Sequence, residues 1–168
     1  MSSFNRRIFL VGPPAIAAAA LLSGCGFTPA YGPSGSAVRL RNAVEVSEPS
    51  GRAGYLMTRE LEDRLGRASD PRYQLAYGIE VSESAVAISR LNLITRYNML
   101  GNVTYSLSDV ATGEVLTSGK VDNFTSFAAS DTTVATEAAR RAAVQRIVVI
   151  LADQLVARLV AASDTFDT

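Results

Sequence analysis

Val144-Gln145-Arg146-Ile147-Val148-Val149-Ile150-Leu151-Ala152-Asp153-Gln154-Leu155-Val156-Ala157-Arg158-Leu159 is the stretch on which the fold turns. Its centre, Ile147-Val148-Val149-Ile150-Leu151, is five apolar residues in a row and is compatible with a buried strand or a buried helix. The longer pattern separates the two. Val144, Ile147, Val148, Leu151, Leu155 and Leu159 recur at three and four, and the flanks are rich in alanine, so the segment reads as helix. Asp131 or Thr132 is placed to cap its start. The helix runs to about Ala162, and residues 163–168 read as a frayed tail. A helix apolar all round at its middle needs a cover, and the chain upstream supplies one.

Working back from it, residues 115–127 form a strand, and Asp109-Val110-Ala111-Thr112-Gly113-Glu114 a hairpin loop with glycine near its end. Tyr97, Met99, Val103, Tyr105 and Leu107 alternate along another strand, with Gly101 in the same phase. Residues 90–95 read as a connection. Tyr73, Leu75, Tyr77, Ile79 and Val81 alternate with polar or small residues along a strand that can run on to Ile88. Met57, Leu61 and Leu65 at spacing four give an amphipathic helix over residues 55–65, with Gly66 placed to end it. Val38, Leu40, Val44 and Val46 share one face of a strand expected over residues 37–46. The fold class is therefore α+β: a two-layer domain with a four-stranded sheet and two helices packed on one face, in the order β-α-β-β-β-α. The other sheet face is expected to carry Arg39, Arg41, Gln74, Glu80, Asn98, Asn102, Thr104 and Ser106, polar but lightly charged.

The composition excludes much chemistry. The 168 residues hold sixteen Lys+Arg against sixteen Asp+Glu, no histidine and one cysteine. Ser-His-Asp and Cys-His catalysis are impossible, a zinc cluster and an intramolecular disulfide are impossible, and no metal or other cofactor is indicated. Net neutrality gives no basic stripe for a nucleic acid. The acidic pairs Glu62-Asp63 and Glu80/Glu83 are surface charge on the plainest reading. The glycine-rich residues 32–36 lack the lysine and spacing of a phosphate loop. The strand tyrosines fall in phase with the buried faces. Arg140, Arg141 and Arg146 read as a solvated helix rim.

The N-terminus reads as an address. Arg6 and Arg7 precede an apolar run over residues 8–22, broken by Gly12, Pro13 and Pro14 and too short for a span of about 20 continuous apolar residues. Leu22-Ser23-Gly24-Cys25 closes it and is similar to a bacterial lipobox, in which the cysteine is acylated and becomes the mature N-terminus. Residues 1–24 are thus expected to be a lipoprotein signal peptide, Cys25 the lipidation site, 25–36 a lipidated tether with Pro29 and Pro33, and 37–162 the domain. Arg6-Arg7-Ile8-Phe9-Leu10 also resembles a twin-arginine signal, and the general secretory route stays open beside it. Gly26, rather than aspartate, follows the cysteine, which favours the outer membrane, periplasmic side. Acyl chains anchor stably because each buried methylene contributes about 0.8 kcal/mol.

Cys25-Gly26-Phe27-Thr28-Pro29-Ala30-Tyr31 resembles the mature start of the LPS-assembly lipoprotein LptE, particularly in its alphaproteobacterial members. Leu61-Glu62-Asp63-Arg64-Leu65 is similar to the end of that family's first helix, Arg96-Tyr97-Asn98-Met99 to the start of its third strand, and Ala152-Asp153-Gln154-Leu155-Val156-Ala157-Arg158-Leu159 to its terminal helix. The resemblance implies a non-enzymatic subunit of the lipopolysaccharide export complex. It would act as plug and assembly factor for an LptD-type outer-membrane β-barrel, with lipopolysaccharide as ligand and membrane attachment through N-terminal acyl chains. It also implies a basic residue just before the third strand that contacts lipopolysaccharide, and Arg90 falls there. A guanidinium fork suits a lipid A phosphate, although a solvated loop arginine has the same appearance in sequence. A second basic residue, implied after the fourth strand, has no counterpart: Ala128-Ala129-Ser130-Asp131 carries no cation. The alternative is an accessory lipoprotein of another envelope machine, such as a lipid ABC system or a secretion channel. A carboxylate hydrolase is the remaining alternative.

Overall fold

The computed structural model describes Gly32 and residues 35–166, apart from Leu91 and Asp131. The expected signal peptide, Cys25 and residues 26–31, 33 and 34 of the expected tether lie outside these residues. The order is α1 (Ser36–Leu40), β1 (Val44–Val46), α2 (Gly51–Leu65), β2 (Tyr73–Ile88), β3 (Ile94–Asp109), β4 (Val115–Ala128), α3 (Thr133–Ala162) and a 3-10 turn (Ser163–Thr165). The sheet order is β1-β2-β3-β4. β1 runs parallel to β2, and β2-β3-β4 form an antiparallel meander. The α+β class and the expected run from β1 to α3 hold, with α1 added in front.

α3 is the longest element. Ile147, Val148 and Leu151 are fully buried, and Val149 and Ile150 half-buried, so the apolar centre lies against the sheet as its composition demands. At 1.5 Å per residue, its 30 residues span about 45 Å. Thr132 is the residue that caps it, its side chain accepting from the Ala135 N–H at 3.3 Å. The strands answer from below. Met99, Val103, Tyr105 and Leu107 on β3, Tyr73 and Leu75 on β2, and Val121 and Phe127 on β4 point into the layer between sheet and helices. Each fully buried large aliphatic side chain contributes about 1.5–3 kcal/mol relative to exposure.

The expected strand over residues 37–46 is corrected. Only Val44–Val46 is strand, and Ser36–Leu40 is a short helix. Ala37 and Leu40, three apart, are buried, whereas Val38 is exposed, which is a helical spacing and not an alternating one. The tertiary setting decides between the two periods. α1 packs against the C-terminal end of α3 and the turn after it, where Arg39 Nη1 donates to the Ser163 carbonyl at 3.2 Å. Asn42 then turns the chain at φ 57°, with its N–H on the Leu65 carbonyl at 2.7 Å. Arg39 and Arg41 consequently leave the outer sheet face on which they were expected. α2 starts at Gly51, earlier than the spacing of Met57, Leu61 and Leu65 suggests, and β3 starts at Ile94 inside the expected connection. The tail is also ordered further than expected: Ser163 is buried and the Phe166 ring lies 5.8 Å from that of Tyr73.

Candidate functional site

Among the described residues, the outer sheet face and the end of the β2–β3 hairpin are not covered by helices. Cross-strand register lays out the outer face in rows: Ala76-Ser106-Ser118, Gly78-Thr104-Lys120, Glu80-Asn102-Asp122, Ser82-Leu100-Phe124 and Ser84-Asn98-Ser126. Small and neutral side chains dominate. Glu80 accepts from Asn102 Nδ2 at 3.1 Å, and the one apolar row is Leu100 beside Phe124. Two shallow depressions of about 530 and 470 Å³ flank Lys120. Gln74, Glu80, Asn98, Asn102, Thr104 and Ser106 lie on this face as expected.

The hairpin end differs in character. β4 pairs with β3 only as far as Arg96, opposite Ala128, and the Ala129 N–H reaches the Thr95 carbonyl at 3.0 Å. Beyond that point β2 and β3 have only each other. The ladder there carries two register shifts, between Ala85 and Ala87 and between Ala87 and Ile88; such bulges bend a strand and re-aim its side chains. The turn is tied by the Ser89 N–H on the Leu93 carbonyl at 2.8 Å and the Asn92 N–H on the Ser89 carbonyl at 3.0 Å. Ser89 Oγ accepts from the Leu93 N–H at 3.2 Å. Asn92 sits at φ 59°, a conformation asparagine tolerates.

Arg90 is in this turn and exposed. Around it Ile88 and Leu93 are each 63% exposed, Val86 is 49% exposed and Ile94 39%. Four large aliphatic side chains left open on one hairpin end are a feature that burial alone does not produce. Arg96 stands near them on β3, also exposed. Residues 84–108 contain no Asp or Glu, and Arg90 and Arg96 are their only charges. The acid just below, Glu83, is engaged: Arg140 Nε and Nη2 donate to its two oxygens at 2.7 and 3.2 Å. That fork pushes the Arg140 guanidinium still further up from its ordinary range.

The other sequence candidates fall elsewhere. Glu62 pairs with Arg67, and Glu83 with Arg140, so neither acidic pair forms a two-carboxylate centre. Arg140 and Arg141 pair with Glu137, and Arg146 Nη2 donates to the Ser126 carbonyl at 3.2 Å. Among the described residues there is no group of three metal-ligating side chains, and no helix is long and apolar enough to cross a membrane. A cavity of about 280 Å³ lies between α1 and the C-terminal ends of α2 and α3, with Leu65, Val156 and Val160 lining it and Arg41 and Asp63 beside them. The exposed apolar cluster was missed in sequence. The signal that marks it is the acid-free run around two arginines in an otherwise balanced chain.

Residues 41–159 match the LptE (lipopolysaccharide-assembly) family model, which spans both helices α2 and α3 nearly to its end and the whole sheet. The chain belongs to the LptE family. It is therefore a lipopolysaccharide-assembly protein, in a family that is non-enzymatic. No curated protein matches it. Among solved structures, a candidate lipoprotein from Caulobacter crescentus is 20% identical at a TM-score of 0.64, covering 77% of this chain and 96% of that one. Rare lipoprotein B from Shewanella oneidensis is 11% identical at 0.59, covering 75% and 98%. A lipoprotein B from Nitrosomonas europaea is 13% identical at 0.57, covering 73% and 84%. At these identities the LptE-like chain shares their fold.

Proposed function

We propose that this LptE-family chain is processed before Cys25, acylated there, and held at the periplasmic side of the outer membrane, where it acts as plug and assembly factor for an LptD-type β-barrel in lipopolysaccharide export. The family match over residues 41–159 carries this reading. The shape supports it. A body about 45 Å long in its main helix, with a sheet face of small neutral side chains, suits the polar, water-filled interior of a large barrel. Lipopolysaccharide contacts Arg90, whose exposed guanidinium offers a planar two-donor fork to a phosphate.

Crosslinking in intact cells, followed by identification of the attached protein, tests the partner. A large outer-membrane barrel captured from positions on the outer sheet face supports the proposal. A free monomer after gentle membrane extraction, or unaltered surface lipopolysaccharide after depletion, rejects it. Metabolic labelling with a fatty acid tests the anchor: incorporation is expected in the native chain and lost in Cys25→Ser.

A further inference from the structure

We propose that the free edge of β4 is a strand-addition site, which takes an extended, acidic segment of a partner protein into the groove between residues 118–122 and α3. β4 is the sheet edge opposite β1, and this surface is separate from the lipid contact proposed for Arg90 and does not depend on it.

Register identifies the open backbone groups. The Ala129 N–H donates to the Thr95 carbonyl, and the ladder runs without a shift from Arg96 opposite Ala128 to Leu107 opposite Thr117. Over this stretch the odd-numbered residues of β4 therefore bond to β3, and the even-numbered ones turn N–H and C=O away from the sheet. Two of these outward groups are occupied: the Phe124 N–H donates to Asn123 Oδ1 at 2.8 Å, and the Ser126 carbonyl accepts from Arg146 Nη2 at 3.2 Å. Those of Ser118, Lys120 and Asp122 have no partner among the described residues. A row of unpaired groups of this kind is a template for another strand. The space beside it is open. A cavity of about 260 Å³ lies along the edge, with Lys120, Val121 and Asp122 on one side and Gln154, Ala157 and Arg158 of α3 on the other. Gln154 Oε1 is buried with no hydrogen-bond donor among the described residues. A backbone N–H entering the groove is a donor of the required kind.

Charge selects the occupant. Lys120 is the only lysine in the chain, and neither it nor Arg158 has a carboxylate partner among the described residues. Arg146, further along the edge, is held only by the Ser126 carbonyl. Asp122 is the single acid lining the groove, and Asp153 of α3 is taken by Arg64. An incoming carboxylate thus meets an excess of cations. The helix above the edge excludes a second copy. α3 lies over β4, so a copy pairing its own β4 antiparallel would bring its own α3 above a strand about 4.8 Å away, where helix axes need about 8–10 Å. A single extended segment meets no such obstacle. A lone edge lysine also discourages stray pairing, but it needs no groove to do so.

The test uses the full chain purified in mild detergent, with a short end-blocked peptide of alternating valine and glutamate as probe. Binding is expected to slow hydrogen exchange at the amides of Ser118, Lys120 and Asp122 and to leave β1 unchanged. The peptide N-methylated on one alternate set of residues should lose binding, and the peptide methylated on the other set should keep it, because an added strand turns only every second residue's N–H to the edge. Ser118→Pro removes an outward donor and leaves the β3 ladder intact. Ala157→Glu puts a carboxylate in the groove. Each is expected to weaken binding about fivefold or more. Lys120→Thr should weaken it by about threefold, as for an exposed ion pair. All three positions are exposed, so thermal unfolding should shift little and serves as the control. No protection of residues 118–122 overturns the proposal, and so does equal binding of the two methylated peptides or of a peptide with lysine in place of glutamate. Binding unchanged in both Ser118→Pro and Ala157→Glu places the peptide elsewhere and overturns it too. Self-association of Lys120→Thr with peptide binding unchanged makes Lys120 an edge guard, and a dimer of the native chain that Ser118→Pro breaks makes the occupant a second copy. Either outcome rejects the partner segment.

Discussion

Arg64 of α2 reaches Asp153 of α3, with Nε donating to Oδ1 at 2.6 Å. The same guanidinium turns its Nη1 to Glu60, donating to Oε2 at 2.9 Å and to the Glu60 carbonyl at 2.8 Å. Two stretches that resemble the LptE family far apart in sequence, residues 61–65 and 152–159, are thereby joined in space. One arginine holds the two helices in register above the sheet. Its planar fork makes this possible, and lysine could not serve both directions.

Arg64→Ala should therefore destabilise the domain by about 1 kcal/mol, at the upper end for a partly exposed pair because two carboxylates lose their partner. Asp153→Asn, which alters only the more exposed arm, should cost less than about 0.5 kcal/mol. Urea unfolding of the three proteins measures both. Equal losses would mean that Asp153, not Glu60, carries the contact.

The same cluster sets an acid response. Hydrogen bonds from Arg64 and then Arg59 hold the Glu60 carboxyl below the usual carboxylate range. A depressed carboxylate binds its proton less readily in the folded chain than in the unfolded one. Its contribution is complete above the ordinary carboxylate pKa and is lost as pH falls through the folded value. Stability should thus decline on acidification below about pH 4.5, with the decline shallower in Glu60→Gln. Thermal melts from pH 7 to pH 3 would show it, and parallel curves for the two proteins would remove Glu60 from the account.

A second relationship governs how closely α3 lies on the sheet. A Cβ on Gly101 of β3 would stand 2.7 Å from Leu151 Cδ1 and 2.9 Å from Ile147 Cγ1. Both side chains are fully buried and have nowhere to retreat. Gly101→Ala should cost about 1–3 kcal/mol by overpacking, although alanine has the better strand propensity. A stability equal to that of the native chain would show that the helix can lift without loss.

How much of this was legible in the sequence follows from which interactions are local. The alternation of Tyr73, Leu75, Met99, Val103 and Leu107 and the period of Ile147, Leu151, Leu155 and Leu159 report burial directly, so the meander and α3 could be read. Residues 37–40 could not. Ala37, Val38 and Leu40 satisfy a period of two and a period of three alike over so short a span, and the choice is made by contact with the far end of α3. Arg90 could be placed before the third strand by resemblance. The surroundings that give it meaning could not, because exposed Ile88 and Leu93 look in sequence like any other aliphatic residues of a strand. Only the register, and the end of β4 at Ala128, shows that no described residue covers them.

Gly66 and Asn42 offer the sharpest test of the α1–α2 corner. Gly66 ends α2 at φ 79° and ψ 162°, a conformation essentially reserved for glycine, with its N–H on the Glu62 carbonyl at 2.8 Å. A Cβ built there collides with the side-chain oxygen of Asn42. Gly66→Ala thus meets two separable costs: backbone strain of about 1–3 kcal/mol and a steric clash with a neighbour. Asn42→Gly removes the neighbour, and since Asn42 itself sits at φ 57°, glycine fits its backbone. The double variant should recover the steric part and retain the strain, so that the two substitutions together cost less than the sum of their separate effects. Additive losses would mean that the Asn42 side chain swings away freely and that backbone strain alone explains the glycine.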